Sequence, residues 1–151
     1  MNDTPLDVFR EIFEAAPFLA SLGVELDAVE KGRCRTSLRV RPDHLQQTGV
    51  VHAGVIATLA DHTAGGAAGS VLAAGCYPLT VEFKINLLRA TRGPRLVCEG
   101  RVLRAGRALV VAESEVFSRE GEEETLVAKA ILTLVVRAKE KERRGEGAGT
   151  A

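Results

Sequence analysis

The sequence predicts an α+β protein in which a long antiparallel sheet wraps around one central buried helix. Three observations predict it. The stretch from Ala53 to about Ala73 is long enough for a helix yet apolar on nearly every side. Segments in which apolar and polar residues alternate lie before and after it. Short glycine-containing turns separate the later segments, the pattern of consecutive hairpins. A helix without a polar face needs a cover, and a curled sheet supplies one economically.

Each element follows from its residues. Thr4-Pro5-Leu6-Asp7 reads as a helix start, with a capping Thr, Pro at the first helical position and an acid three residues after the cap. Val8, Phe9, Ile12, Phe13 and Ala16 form one apolar stripe over a helix of about residues 5–16, which Pro17 is expected to stop. Val24, Leu26 and Ala28 then alternate with Glu25 and Asp27. After a Lys31-Gly32 turn, Cys34, Thr36, Leu38 and Val40 alternate with Arg33, Arg35, Ser37 and Arg39. That is a hairpin with one buried and one wet face. Arg41 to Val51 is rich in turn formers and reads as a loop. The buried helix carries Gly54, Gly65, Gly66 and Gly69, which lower helix propensity and are tolerable where something packs very closely.

Four more strands are expected. Their inward sets are Val81, Phe83, Ile85, Leu87; then Leu96, Cys98, Gly100, Val102; then Val110, Ala112, Ser114, Val116; then Leu126 through Val136 at every second position. Turns at Arg92-Gly93-Pro94, Ala105-Gly106 and Arg119-Glu120-Gly121 join them as a meander. The charged, Gly-rich tail over 139–151 has nothing to bury and is expected to be disordered, leaving one domain over 1–138.

The totals exclude several classes. Twenty Lys and Arg balance twenty Asp and Glu, so the signature of a nucleic-acid binder is absent. No apolar run is long enough to span a bilayer and no charged-then-apolar leader opens the chain, so no membrane partner and a cytoplasmic location are expected. Cys34, Cys76 and Cys98 are odd in number without Cys-x-x-Cys spacing, which favours reduced thiols over disulfides. His44, His52 and His62 lack a helical His-x-x-x-His pair or a cysteine partner, so no metal site is expected.

The informative stretch runs Gln46-Gln47-Thr48-Gly49-Val50-Val51-His52-Ala53-Gly54-Val55-Ile56-Ala57-Thr58-Leu59-Ala60-Asp61. It resembles the signature of the phenylacetic-acid-pathway (PaaI-type) acyl-CoA thioesterases of the hotdog-fold superfamily: a polar amide, Gly, His-Gly-Gly, then Thr-Leu-Ala-Asp on the central helix. The resemblance extends over residues 22–136, through Thr80-Val81-Glu82-Phe83-Lys84-Ile85-Asn86 and Leu126-Val127-Ala128-Lys129-Ala130. It implies a hotdog fold and hydrolysis of an acyl-CoA or aryl-CoA thioester, with no cofactor beyond the CoA of the substrate. By the resemblance, Asp61 is the catalytic acid, nucleophile or general base for water. His52 orients the site, the backbone N–H of Ala53 polarises the thioester carbonyl, Gly54 contacts substrate, and Thr80 assists the hydrolytic water. Two positions depart from the pattern: Gln46 stands where many members carry Asn, and Ala53-Gly54 replaces Gly-Gly. Gln at that position is more like the enterobactin-pathway and Arthrobacter-type thioesterases, which pair it with Glu.

The chemistry is sensible on its own. Free N–H groups at a helix start stabilise a developing oxyanion. A carboxylate on an apolar helix is pushed toward a higher pKa and becomes a better base. His52 and Asp61, nine residues apart, lie roughly 13 Å apart along a helix axis and point to nearly opposite sides. They converge on one thioester only if two chains share the site, so a homodimer or homotetramer is expected. The competing readings are an acyl-CoA-sensing hotdog protein without catalysis, and a hydratase or dehydratase on the same fold. The first lacks a preceding helix-turn-helix segment here, and the second carries different His and acid spacings.

Overall fold

The structure, a computed structural model, describes residues 5–138. The expected Thr4 cap and the 139–151 tail lie outside the described residues, as do the side chains of Val8 and Phe9. Helix α1 spans Pro5–Glu14, with proline at its start as expected. Pro17 does not simply stop it. A second short helix, α2 (Pro17–Leu22), begins there, because proline lacks only an N–H that the first turn leaves unpaired anyway. Gly23, left-handed at φ 75°, ends α2 and donates its N–H to the Ala20 carbonyl.

Six strands follow: β1 (Val24–Glu30), β2 (Arg33–Arg39), β3 (Cys76–Leu87), β4 (Arg95–Ala105), β5 (Leu109–Glu120) and β6 (Glu123–Ala138). Helix α3 (Ala53–Gly69) separates β2 from β3 and is four residues shorter at its C-terminal end than expected. All strand pairs are antiparallel, in the order β1-β2-β4-β5-β6-β3. This corrects the expected meander. β4, β5 and β6 are consecutive hairpin partners, but β3 pairs with β6 at one edge while β4 pairs with β2. Residues 88–94 therefore form a crossing, with Arg92-Gly93-Pro94 at its end rather than a hairpin turn. Main-chain bonds pin the crossing: Leu88 and Arg89 N–H donate to the Val127 carbonyl, Val51 N–H to the Thr91 carbonyl and Val40 N–H to the Pro94 carbonyl.

Two bulges redirect side chains that alternation alone places inward. Between Leu26 and Ala28 the register with β2 shifts, so Ala28 faces water and Val29 packs inward. Between Thr80 and Glu82 a second shift ejects Val81, which is 57% exposed. Phe83 and Leu87 are also exposed, because β3 is an edge strand; of that expected inward set only Ile85 packs against the core. The strands β2, β4, β5 and β6 bury most of their inward residues as expected, but Val102 and Val136 are half-buried, and a register shift between β5 and β6 buries Val127 and leaves Leu126 half-buried.

α3 is not sealed on every side. Val55, Ile56, Leu59, Ala60, Ala64 and Ala68 are buried against Leu38, Leu96, Cys98, Val110, Ala112, Val116, Leu132 and Leu134. Buried hydroxyls stitch this flank: Ser114 Oγ donates to the Ala60 carbonyl, and the hydroxyls of Thr36 and Thr63 share a 2.6 Å hydrogen bond. Gly100 of β4 permits the contact, since a Cβ there would lie 2.7 Å from the Thr63 carbonyl oxygen. The opposite flank, with Ala57, Thr58, Asp61, Gly65 and Gly69, is only half-buried and Gly54 is exposed. Gly66 proves to serve packing within the chain, against Cys34 Sγ and Phe13.

Candidate active site

The loop before α3 is held by its own hydrogen bonds. Leu45 bridges Val51 in antiparallel fashion, and Gln46 and Val50 close a tight turn in which Gly49 adopts φ 79°. Buried His44 accepts the Arg41 N–H at Nδ1 and receives the His52 N–H on its carbonyl. These contacts place His52 as the cap of α3. Its Nδ1 accepts the Gly54 N–H at 2.8 Å, which puts the proton of the neutral ring on Nε2. Val55 N–H bonds the His52 carbonyl. That leaves the Ala53 N–H, first in the helix, without a partner among the described residues. Gln46 Nε2 donates to Thr48 Oγ1, and Arg92 reaches the Thr48 carbonyl.

Eight residues further along α3, about 12 Å at helical rise, lies Asp61. Its Oδ1 accepts a 2.8 Å hydrogen bond from Thr80 Oγ1 on β3. Burial pushes the Asp61 carboxyl above the usual aspartate range, and the Thr80 bond partly offsets that. Asp61 and Thr80 stand in an open groove of about 510 Å³ whose other walls include Ile12, Phe13, Leu79 and Leu134. The fold thus brings Asp61 to Thr80, and separately brings Gln46 to His52, Ala53 and Gly54. Within one chain the second group does not line the Asp61 groove.

Of the groove residues that the sequence does not mark as site residues, two meet each other: Phe13 from α1, and His62. Their rings lie 4.0 Å apart between centroids, tilted by 44°. Burial lowers the His62 pKa to about 4, so the ring is neutral near pH 7. Its Nε2 is sealed from solvent with no partner among the described residues. The signal for His62 was its place beside Asp61. For Phe13 it was only an apolar stripe, which does not say what the stripe covers. The described residues contain no group of three or more His, Cys, Asp or Glu placed to hold a metal ion. No described helix is long and apolar enough to cross a membrane.

Residues 48–125 match the thioesterase superfamily. The protein SSO2140 of Saccharolobus solfataricus is 34% identical over 85% of this chain and 90% of its own length. The medium/long-chain acyl-CoA thioesterase YigI of Escherichia coli is 29% identical over 80% of this chain and 85% of its own length. A solved thioesterase family protein from Silicibacter pomeroyi superposes with a TM-score of 0.83 at 32% identity, covering 86% of this chain and 96% of that one. With its sheet wrapped around α3 and Asp61 in a mostly apolar groove, the chain belongs to the thioesterase superfamily and is a hotdog-fold thioester hydrolase.

Proposed function

We propose that the protein is a cytoplasmic acyl-CoA thioesterase of the PaaI type whose active site is assembled between two copies of the chain, in a homodimer or homotetramer. The observation that carries the reading is Asp61: a carboxylate on an apolar helix, half-buried, held by Thr80 and standing in a groove lined mostly by apolar side chains.

The half-buried flank of α3 supports the pairing. Gly54, Thr58, Asp61 and Gly65 share one face, since seven residues are close to two helical turns. Two such faces meeting about a two-fold axis near Ala57 and Thr58 bring each helix start to the other chain's Asp61. The apolar residues Phe83 and Leu87 at the open β3 edge gain cover in the same association.

In the assembled site the thioester carbonyl oxygen accepts the Ala53 N–H of one chain, while Asp61 of the other faces the carbonyl carbon. His52 fixes the first turn by holding the Gly54 N–H, and Gln46 orients substrate or water. Asp61 attacks directly, or takes a proton from water that attacks. Negative charge then builds on the carbonyl oxygen, where the free N–H and the helix dipole stabilise it. Collapse breaks the C–S bond, CoA departs as thiolate and takes up a proton, and the acid is released. With Asp61 as nucleophile, water cleaves the resulting anhydride.

Asp61→Asn removes the charge but not the volume. Acyl-CoA turnover, followed as free thiol release, should fall by at least about a hundredfold with binding retained. A variant that keeps more than about a tenth of the wild-type kcat overturns the assignment.

A further inference from the structure

We propose that the groove selects straight-chain aliphatic acyl groups, which run from Asp61 over Gly65 toward Phe13 and Ile12, so that the missing side chain at Gly65 admits long chains. This rests on the thioesterase reading of the same groove.

Two adjacent glycines differ in what they leave empty. A Cβ at Gly66 would stand 2.7 Å from Cys34 Sγ and 3.1 Å from the Phe13 ring, so the fold itself demands glycine there. A Cβ at Gly65 would meet nothing within 4 Å. Glycine weakens a helix interior relative to alanine, and packing within the chain does not require it at Gly65. Gly65 also follows Asp61 by four residues, one turn along the same face. The empty space above it therefore continues from the carboxylate, and it belongs to the same groove.

Apart from Asp61, Thr80, His62 and Tyr77, the groove is lined by apolar side chains and glycine. Phe13 lies against the His62 ring, and Ile12, 54% exposed, stands at the groove. His62 is neutral near pH 7 and its Nε2 is sealed, so that nitrogen is not offered to a hydroxylated acyl group. A volume of about 510 Å³ is in the range of small-molecule sites, and the hydrogen-bonded Asp61 and Thr80 are part of its wall. A flexible hydrocarbon chain gains from such a trough with each methylene it buries, up to about fourfold in binding per group.

The test compares kcat/KM for butanoyl-, octanoyl-, dodecanoyl-, hexadecanoyl-, benzoyl- and phenylacetyl-CoA in wild type, Gly65→Ala, Gly65→Leu and Phe13→Ala. Wild type should favour dodecanoyl- over butanoyl-CoA and over both aryl thioesters by at least about tenfold. Gly65→Leu should lower the dodecanoyl-to-butanoyl ratio at least about tenfold, and Gly65→Ala by less. Phe13→Ala should move the optimum to longer chains. Native mass spectrometry and circular dichroism accompany each variant. A ratio unchanged in both Gly65 variants, a wild-type preference for aryl thioesters, or dissociation of the oligomer by Gly65→Leu overturns the proposal. Absence of wild-type turnover on every thioester would instead overturn the thioesterase reading beneath it.

Discussion

The two flanks of α3 have been built for opposite purposes. The flank facing β2, β4 and β5 is closed: Leu59, Ala60, Ala64 and Ala68 are fully buried, and Gly100 lets the strand backbone touch the helix backbone. The other flank, through Thr58, Asp61 and Gly65, is half-buried and open at its glycine. One helix therefore supplies the core on one side and, in the proposed function, the chemistry on the other. A carboxylate is tolerable on the second side because that side is only half-buried and the Thr80 hydroxyl bonds it.

The largest effect expected from breaking this contrast lies on the closed flank. Gly100→Val drives side-chain atoms into the Thr63 carbonyl and the Ala64 nitrogen, which are helix backbone rather than a flexible side chain. It should cost on the order of 3 kcal/mol or prevent folding, read by thermal and urea unfolding. A stability within about 0.5 kcal/mol of wild type would show that the flank is looser than described.

On the open flank Thr80→Val should leave the fold intact and lower kcat/KM by about five- to tenfold, roughly 1 kcal/mol. The Thr80 hydroxyl holds the Asp61 pKa down, so its loss should move the acidic limb of the pH–rate profile upward. A downward shift, or none, would contradict the pairing.

A smaller effect concerns stability. Burial raises the Asp61 pKa in the folded state above its unfolded value, so the folded protein holds that proton more tightly. The resulting stabilisation is present below the unfolded pKa and is lost as pH rises through the folded one. Asp61→Asn, which has no such titration, should accordingly be more stable than wild type near pH 7, and its advantage should shrink as pH falls into the ordinary aspartate range. Urea midpoints across that range measure it, and an advantage that grows toward low pH contradicts the burial argument.

What was legible in the sequence, and what was not, divides along the same line. Alternation located the strands, and the Gln46–Asp61 stretch located both the start of α3 and its acid. The place of β3 was not legible, because Val81, Phe83, Ile85 and Leu87 alternate as a core strand does while pairing with β6 at a distant edge. Nor were the bulges after Leu26 and Thr80, which arise from register with a neighbour rather than from local pattern. Glu113 alternates outward as expected but is nearly buried between Arg101 and Lys129, a cluster assembled from three strands. Phe13 reaches the Asp61 groove from a helix some fifty residues earlier in the chain, a contact that no local spacing announces. Asp61 and Thr80, nineteen residues apart, meet only because β3 returns beside the helix.

The central claim is that the open flank of one chain completes the helix start of another, and subunit mixing tests it directly. Ala53→Pro removes the one N–H assigned to the oxyanion, at the first helical position where proline is well tolerated. His52 before it already holds the extended conformation that proline prefers. Alone, this variant should lose at least about a hundredfold in kcat, as Asp61→Asn does. When the two are mixed in equal amounts and their subunits exchange, each mixed dimer carries one site with both lesions and one with neither. Activity should then return to about a quarter of wild type per chain. If mass spectrometry confirms exchange and the mixture stays as inactive as its parents, the shared site is contradicted.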